Sequence, residues 1–367
     1  MKQQQQVIIS ADSHVLEPGD LWTKGAPSNL LDVLPRIEST EKGDVFVFEN
    51  QKPWLLGVEF AAGEGGKQKA RGRSWNARPT GGYIPADRIA AQEVDGVWAE
   101  IMYPTLGLYL YRIKDAKLQE RSFDAYNNWL GEFCSSYPDR LVGIGMVSIG
   151  DVDAACRQVR RVADLGLSGV MLPSVKQPEY NSPEYEPLWA IAEELNLPIS
   201  FHVGTGEQLL QYRGRGAGGM NVWRSITNVF QPFVFMMWSG VFERFPKLRI
   251  GFIEGGISWI PSSLDILDTL SDQHKWIEHD LTRKPSEYWK SNCFATFERS
   301  LVGLKMRDIP GSETLLWASD YPHAESTWPE SRATIEADMK GLSAAEIGLI
   351  TLKNVQRIYN LPDKSTR

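Results

Sequence analysis

Asp12 and His14 stand where the apolar run Val7-Ile-Ile-Ser-Ala-Asp-Ser-His14 ends. In a strand, residues i and i+2 point to the same side, so this pair can reach one metal ion from the end of a single buried strand. The pattern returns downstream: the apolar runs at 198–203, 248–254 and 315–320 close at or beside His202, Glu254 and Asp320. Each places a charge or an imidazole at the end of an apolar strand, which is costly without a partner. One shared ion satisfies all of them. The donors are nitrogen and oxygen without sulfur, a set that suits zinc, manganese or iron(II), as one ion or two. Such an ion lowers the pKa of bound water and polarises a substrate oxygen, and Asp320 or Glu254 can then take the water's proton. Whether Glu254 is ligand or base stays open at this level. His323, three residues after Asp320, is a further candidate for handling substrate or protons, whereas His274 and His279 fall in a polar helical tail and read as surface residues.

These side chains can meet only if their strands lie side by side. Eight short apolar runs read as strands, at 7–12, 96–103, 141–147, 169–172, 198–203, 248–254, 293–296 and 315–320. Helical periodicity appears between or after them at 86–93, 117–136, 152–165, 185–195, 223–245, 258–279, 301–306, 329–340 and 344–359. This alternation is the signature of a parallel sheet, and eight units over 367 residues fit a (β/α)8 TIM barrel. No GxGxxG follows the first strand, so a dinucleotide-binding sheet has little support. The reading is one domain over 1–367, with a lid-like insertion at 19–82. That insertion carries a hairpin (45–48 with 54–56) and a glycine-rich loop with Lys67, Lys69, Arg71, Arg73 and Arg78.

The net charge of −7 and a pI near 5.4 argue against a nucleic-acid partner. Cys134, Cys156 and Cys293 lie far apart, which suggests neither a disulfide framework nor a thiolate zinc site and points to a reducing cytoplasm. The sequence offers no stretch long and apolar enough to span a bilayer. Arg213, Arg215 and Arg224 after the fifth strand suggest a clamp for a substrate anion. Trp259 and Tyr103 near strand ends suggest an apolar body, so a bulky organic acid, or an ester or thioester of one, is the expected ligand.

Taken together, Ala11-Asp-Ser-His-Val-Leu-Glu-Pro18, Phe201-His-Val-Gly204, Glu254-Gly-Gly-Ile-Ser-Trp-Ile-Pro261, Ala318-Ser-Asp-Tyr-Pro-His323 and Asn354-Val-Gln-Arg-Ile-Tyr359 resemble the amidohydrolase-related family. This branch of the amidohydrolase superfamily includes aminocarboxymuconate-semialdehyde decarboxylase and the resorcylate-type decarboxylases. The resemblance implies a distorted barrel with a divalent metal held by Asp12, His14, His202 and Asp320, and a homo-oligomer, for which the apolar segment 229–241 offers an interface. The chain departs from the family at two places. The end of the fourth strand, Gly169-Val-Met-Leu-Pro-Ser174, lacks the lysine that bridges two metals in many superfamily hydrolases. Glu254 and Ile257 stand where the resorcylate type has histidine and glutamate. The replacement of those proton-handling groups puts metal-dependent hydrolysis of an ester, thioester or amide first, with Glu254 as a ligand of a possible second ion. Non-oxidative decarboxylation of an aromatic or enoic acid is the alternative, and a non-catalytic scaffold the third reading.

Overall fold

In the computed structural model, residues 6–64, 72–206, 212–277, 279 and 281–363 are described. Eight parallel strands form one sheet: Ile9–His14, Ala99–Tyr103, Leu141–Met146, Gly169–Pro173, Ile199–His202, Ile250–Ile253, Cys293–Phe297 and Leu315–Trp317. Each pairs with the next in sequence. Just beyond the first and eighth strands, Asp320 N–H donates to Asp12 O (2.9 Å) and His14 N–H to Tyr321 O (2.7 Å). The expected (β/α)8 barrel is thus formed, and its nearly closed seam ties two predicted metal ligands together through backbone hydrogen bonds.

The strands are buried along their whole length, as strands covered by helices outside and packed side chains inside must be. The intervening helices follow their local signals. In Val152–Asp164, Asp151 caps the N-terminus by accepting from Ala154 N–H (2.9 Å). Ala155, Val159 and Val162 then fall on one buried face.

The segment expected as one helix over 223–245 is three, Ala217–Val229, Gln231–Trp238 and Val241–Arg244. Pro232 lies in the first turn of the second and cannot continue the ladder of the first, and Gly240 (φ 73°) takes a left-handed turn before the third. Phe233, Met236 and Met237 are buried within the chain, Phe233 against Phe252 and Trp289. The expected helix over 344–359 contains a π turn, Leu349–Lys353, between Ala344–Gly348 and Asn354–Ile358. A helix that the periodicity does not signal, Pro285–Asn292, starts at its proline.

Between the first two barrel strands, the expected hairpin is a three-stranded antiparallel sheet of Arg36–Thr40, Gly43–Val47 and Trp54–Leu55. Of the basic loop, Lys67, Lys69 and Arg71 lie outside the described residues. Arg73 pairs with Glu64 (2.9 Å) and lies over the Phe60 ring, and Arg78 lies over Tyr83 and donates to Trp75 O. Both cations therefore hold the insertion together.

Arg88, on the helix Pro85–Asp95, is fully buried. Its Nε donates to Glu100 (2.5 Å) on the second strand, and its Nη1 donates to His14 O (2.7 Å). Gln92 Nε2 and Ser13 Oγ also donate to Glu100. Breaking this pair strands a buried charge beside two metal-ligand positions. Arg88→Met is expected to cost about 3–5 kcal/mol in denaturant unfolding; a loss below about 1 kcal/mol would show the pair to be incidental.

Candidate metal centre

The strand ends bring together the five side chains expected to bind metal, Asp12, His14, His202, Glu254 and Asp320. Asp12, His14, His202 and Asp320 have no side-chain exposure. His14 Nε2 lies 3.5 Å from Asp12 Oδ1 and 3.4 Å from Asp320 Oδ1, and His202 Nε2 lies 3.6 Å from Asp12 Oδ1. Both carboxylate oxygens of Asp12 and of Asp320, and the Nε2 atoms of both histidines, are buried without a hydrogen-bond partner. Buried polar atoms are ordinarily paired. Here the orphans are acceptors gathered at the strand ends, which is what a cation requires. Donor atoms lie within 4.8 Å of one another in two overlapping groups, Asp12, His14, His202 and Glu254, and His14, Asp320 and His323.

The outer edges of the two imidazoles settle their tautomers. His14 Nδ1 lies 2.8 Å from Pro104 O and His202 Nδ1 2.7 Å from Val203 O. A carbonyl can only accept, so Nδ1 carries the proton and the Nε2 lone pair faces inward. Burial, followed by the neighbouring His323 and His202, holds the His14 pKa well below the usual imidazole range, so the ring is neutral as a ligand must be. Burial and then the Asp12 charge push Asp320 well above the usual carboxylate range. A cation among these groups would offset their mutual repulsion.

Glu254 and Asp320 also share a backbone feature. Both have left-handed φ, 62° and 55°, a rare state for residues with a side chain. Such strain concentrates at functional positions, and here it bends the chain at the sixth and eighth strand ends so that both carboxyls face the site. Their roles differ. Glu254 Oε2 lies 3.4 Å from His202 Nδ1, the edge opposite the Nε2 that faces Asp12. Its side chain is 21% exposed where the four others are closed off, and it lines the cavity above them. Burial first, then the charges of Asp320 and Asp12, raise its pKa well above the usual range.

His323 bridges the centre and the cavity. It stacks on His14 (3.8 Å), places Nδ1 3.1 Å from Asp320 Oδ1, and has Nε2 3.1 Å from Thr105 Oγ1. Burial lowers its pKa to about 4.

The cavity over the cluster has a volume of about 520 Å³. Of the residues expected to bind substrate, Arg213 lines it. Tyr103 does not: it is fully buried, with its hydroxyl on Ser200 (2.9 Å) and Tyr359 (3.0 Å) inside the barrel. Trp259 also turns away, stacking on Phe230 and packing on Trp289 behind the sixth strand. Arg215 is exposed, and neither it nor Arg224 is among the lining residues. Strand-end position alone misjudged these, because alternate side chains at a strand end face the barrel interior or its helices.

Four site residues went unpredicted. Glu298 directly follows the seventh strand, so the strand-end rule applied there would have found it; burial, then Asp12, pushes its pKa up to about 8. Glu325, two residues past His323, lines the cavity, as do Glu59 from the insertion and Tyr109 from the 3-10 helix Leu106–Arg112. No sequence signal marked the last two.

Metal analysis tests the assignment. Asp12→Asn combined with His202→Ala is expected to abolish stoichiometric metal, and the wild type to melt higher with manganese than with chelator, by about 2.7 kcal/mol at a hundredfold excess over Kd. Because Glu254 meets the outer edge of His202, Glu254→Ala should leave the metal count unchanged; a fall from two ions to one would make it a ligand.

The fold is shared with known proteins. A γ-resorcylate decarboxylase from Rhodococcus jostii (strain RHA1) is 27% identical over 248 residues, covering 60% of this chain and 74% of that protein. An amidohydrolase from Mycobacterium avium subsp. paratuberculosis K-10 superposes with a TM-score of 0.77 at 21% identity, covering 98% of this chain and 100% of the other. A dihydroxybenzoic acid decarboxylase from Polaromonas sp. JS666, solved with bound manganese and the inhibitor 2-nitroresorcinol, superposes with a TM-score of 0.65 at 16% identity, covering 99% and 98%. Decarboxylases among these relatives favour the second of the two expected chemistries over hydrolysis. The family model described as Amidohydrolase matches residues 88–361, most of the chain, and the protein belongs to that family.

Proposed function

We propose that the protein is a metal-dependent, non-oxidative decarboxylase of an aromatic carboxylic acid. The observation that carries this reading is the position of Glu254: a carboxyl at the cavity wall, 3.4 Å from His202 Nδ1, whose pKa burial raises so that the acid form is favoured. Replacing a ring carboxylate by hydrogen needs an acid that can reach carbon, and a neutral glutamate supplies one. Hydrolysis by two bridged ions would need a bridging group. At the fourth strand end Pro173 and Ser174 stand instead of lysine, and Lys176 opens on a different cavity.

Asp12, His14, His202 and Asp320 would hold the ion. Bound there, a divalent metal would polarise and orient the substrate oxygens. Arg213, on the cavity wall, neutralises the anionic substrate as it enters. The bond between the ring carbon and the carboxyl carbon breaks, its electron pair stays on the ring, and carbon dioxide leaves. The Glu254 proton then goes to the ring carbon, and the resulting glutamate regains a proton from solvent. His323, fixed by Asp320 and Thr105, keeps the Asp320 carboxyl oriented.

The test is a substrate panel on manganese-loaded protein. Hydroxybenzoates including 2,6-dihydroxybenzoate are expected to lose carbon dioxide, and aryl esters and thioesters to remain intact; ester cleavage without decarboxylation would overturn the assignment. Glu254→Gln should lower kcat by about 10²–10⁴-fold while retaining the ion. In the wild type the rate should fall as pH rises through the elevated Glu254 pKa, because the required proton is then lost. That alkaline limb should be absent in Glu254→Gln.

A further inference from the structure

One wall of the cavity comes from the insertion. Trp54, Val58 and Glu59 line it beside Tyr109. The Glu59 carboxylate is buried, yet among the described residues no lysine or arginine pairs with it, and it belongs to neither group of close metal-binding atoms. Three donors hold it instead. Trp54 Nε1 (2.7 Å) and Tyr109 Oη (3.3 Å) donate to Oε1, and Gly57 N–H (2.7 Å) donates to Oε2. A carboxylate has about four acceptor sites, so three donors leave one. The Trp54 and Tyr109 rings lie 4.8 Å apart at 35°, an aromatic surface next to that acceptor.

A buried carboxylate on a cavity wall with no lysine or arginine paired to it among the described residues is costly, and a polar substituent of the ligand would fill its remaining acceptor site. We propose that Glu59, framed by Trp54 and Tyr109, is a specificity-determining acceptor that selects aromatic acids carrying a hydrogen-bond donor, a hydroxyl or an amine, on the ring position away from the carboxylate. The inference rests on the decarboxylase reading for the orientation of the acid. The metal and Arg213 take the carboxylate end, and the insertion reads the other. The family match begins at residue 88, so this wall lies outside it. Rim chemistry of this kind discriminates well, because a ligand that lacks the donor leaves the buried acceptor unpaired.

The experiment compares 2,4-dihydroxybenzoate with 2-hydroxy-4-methoxybenzoate, which keeps the shape and loses the donor. Binding is measured by titration calorimetry on manganese-loaded full-length protein carrying Glu254→Gln, so that turnover does not consume the ligand. The dihydroxy acid is expected to bind roughly ten- to a hundredfold more tightly, the range of a hydrogen bond to a charged group. Adding Glu59→Gln should bring the ratio close to one; Glu59→Asp, which withdraws the carboxylate by one methylene, should lower it and carries the test where the glutamine variant does not fold. A ratio near one in the parent, or equal weakening of both acids by Glu59→Gln, would reduce Glu59 to a loop anchor and overturn the inference. Turnover of 2,4-dihydroxybenzoate by wild type is read separately. A Glu59-dependent ratio without turnover would sink the decarboxylase reading alone, and turnover with an unaffected ratio would sink the inference alone.

Discussion

Two carboxylates and two imidazole lone pairs, buried together with nothing to donate to them, are the constraint on which the rest of the architecture depends. Left to itself, such a cluster repels: Asp320 and Glu254 are driven toward their protonated forms and His14 toward neutrality, all chiefly by burial. A cation reverses the sign of the interaction. The barrel then has to supply rigidity, since an ion tolerates little error in ligand placement. That rigidity is visible in the seam between the first and eighth strands, in the carbonyls that fix both imidazoles, and in Arg88 beneath His14 O.

Division of labour follows from position on the barrel. Asp12, His14 and His202 sit on strands, where backbone ladders fix them, and Asp320 sits in the turn after the eighth, tied to Asp12 O. Glu254 and His323 sit one step outside, where the chain turns. The cavity walls come from longer segments, the insertion and the stretch after the fifth strand, which vary without disturbing the centre. The protein resembles a fixed socket with an exchangeable collar.

The fold was legible in the sequence because it rests on local rules. Apolar runs marked all eight buried strands, and where such a run stops at a carboxylate or imidazole, as at Asp12, His202, Glu254 and Asp320, the side chain lies at the cluster. The cavity was much less legible. Tyr103 and Trp259 are aromatic and near strand ends, yet strand alternation turns Tyr103 into the barrel, and Trp259 opens the helix Trp259–Gln273 and packs on Phe230 in the wall. Glu59 had no local mark at all, since its meaning depends on Tyr109, a partner fifty residues away. The relatives favour decarboxylation, which the sequence reading ranked second to hydrolysis. The identity of residue 254 was visible, but the edge of His202 that it faces was not.

Tyr359 offers a last point. Its hydroxyl reaches Tyr103 inside the barrel from the helical region near the end of the chain, and Asp320 bonds across to Asp12 near its beginning. During synthesis, therefore, the first ligands emerge from the ribosome long before the groups that complete and floor the site. A chain that stops before Asp320 lacks one of the four donors, so the set comes together only once most of the polypeptide has been made. A nascent chain is in this way spared from trapping whichever abundant cation it meets first in an incomplete and unselective geometry.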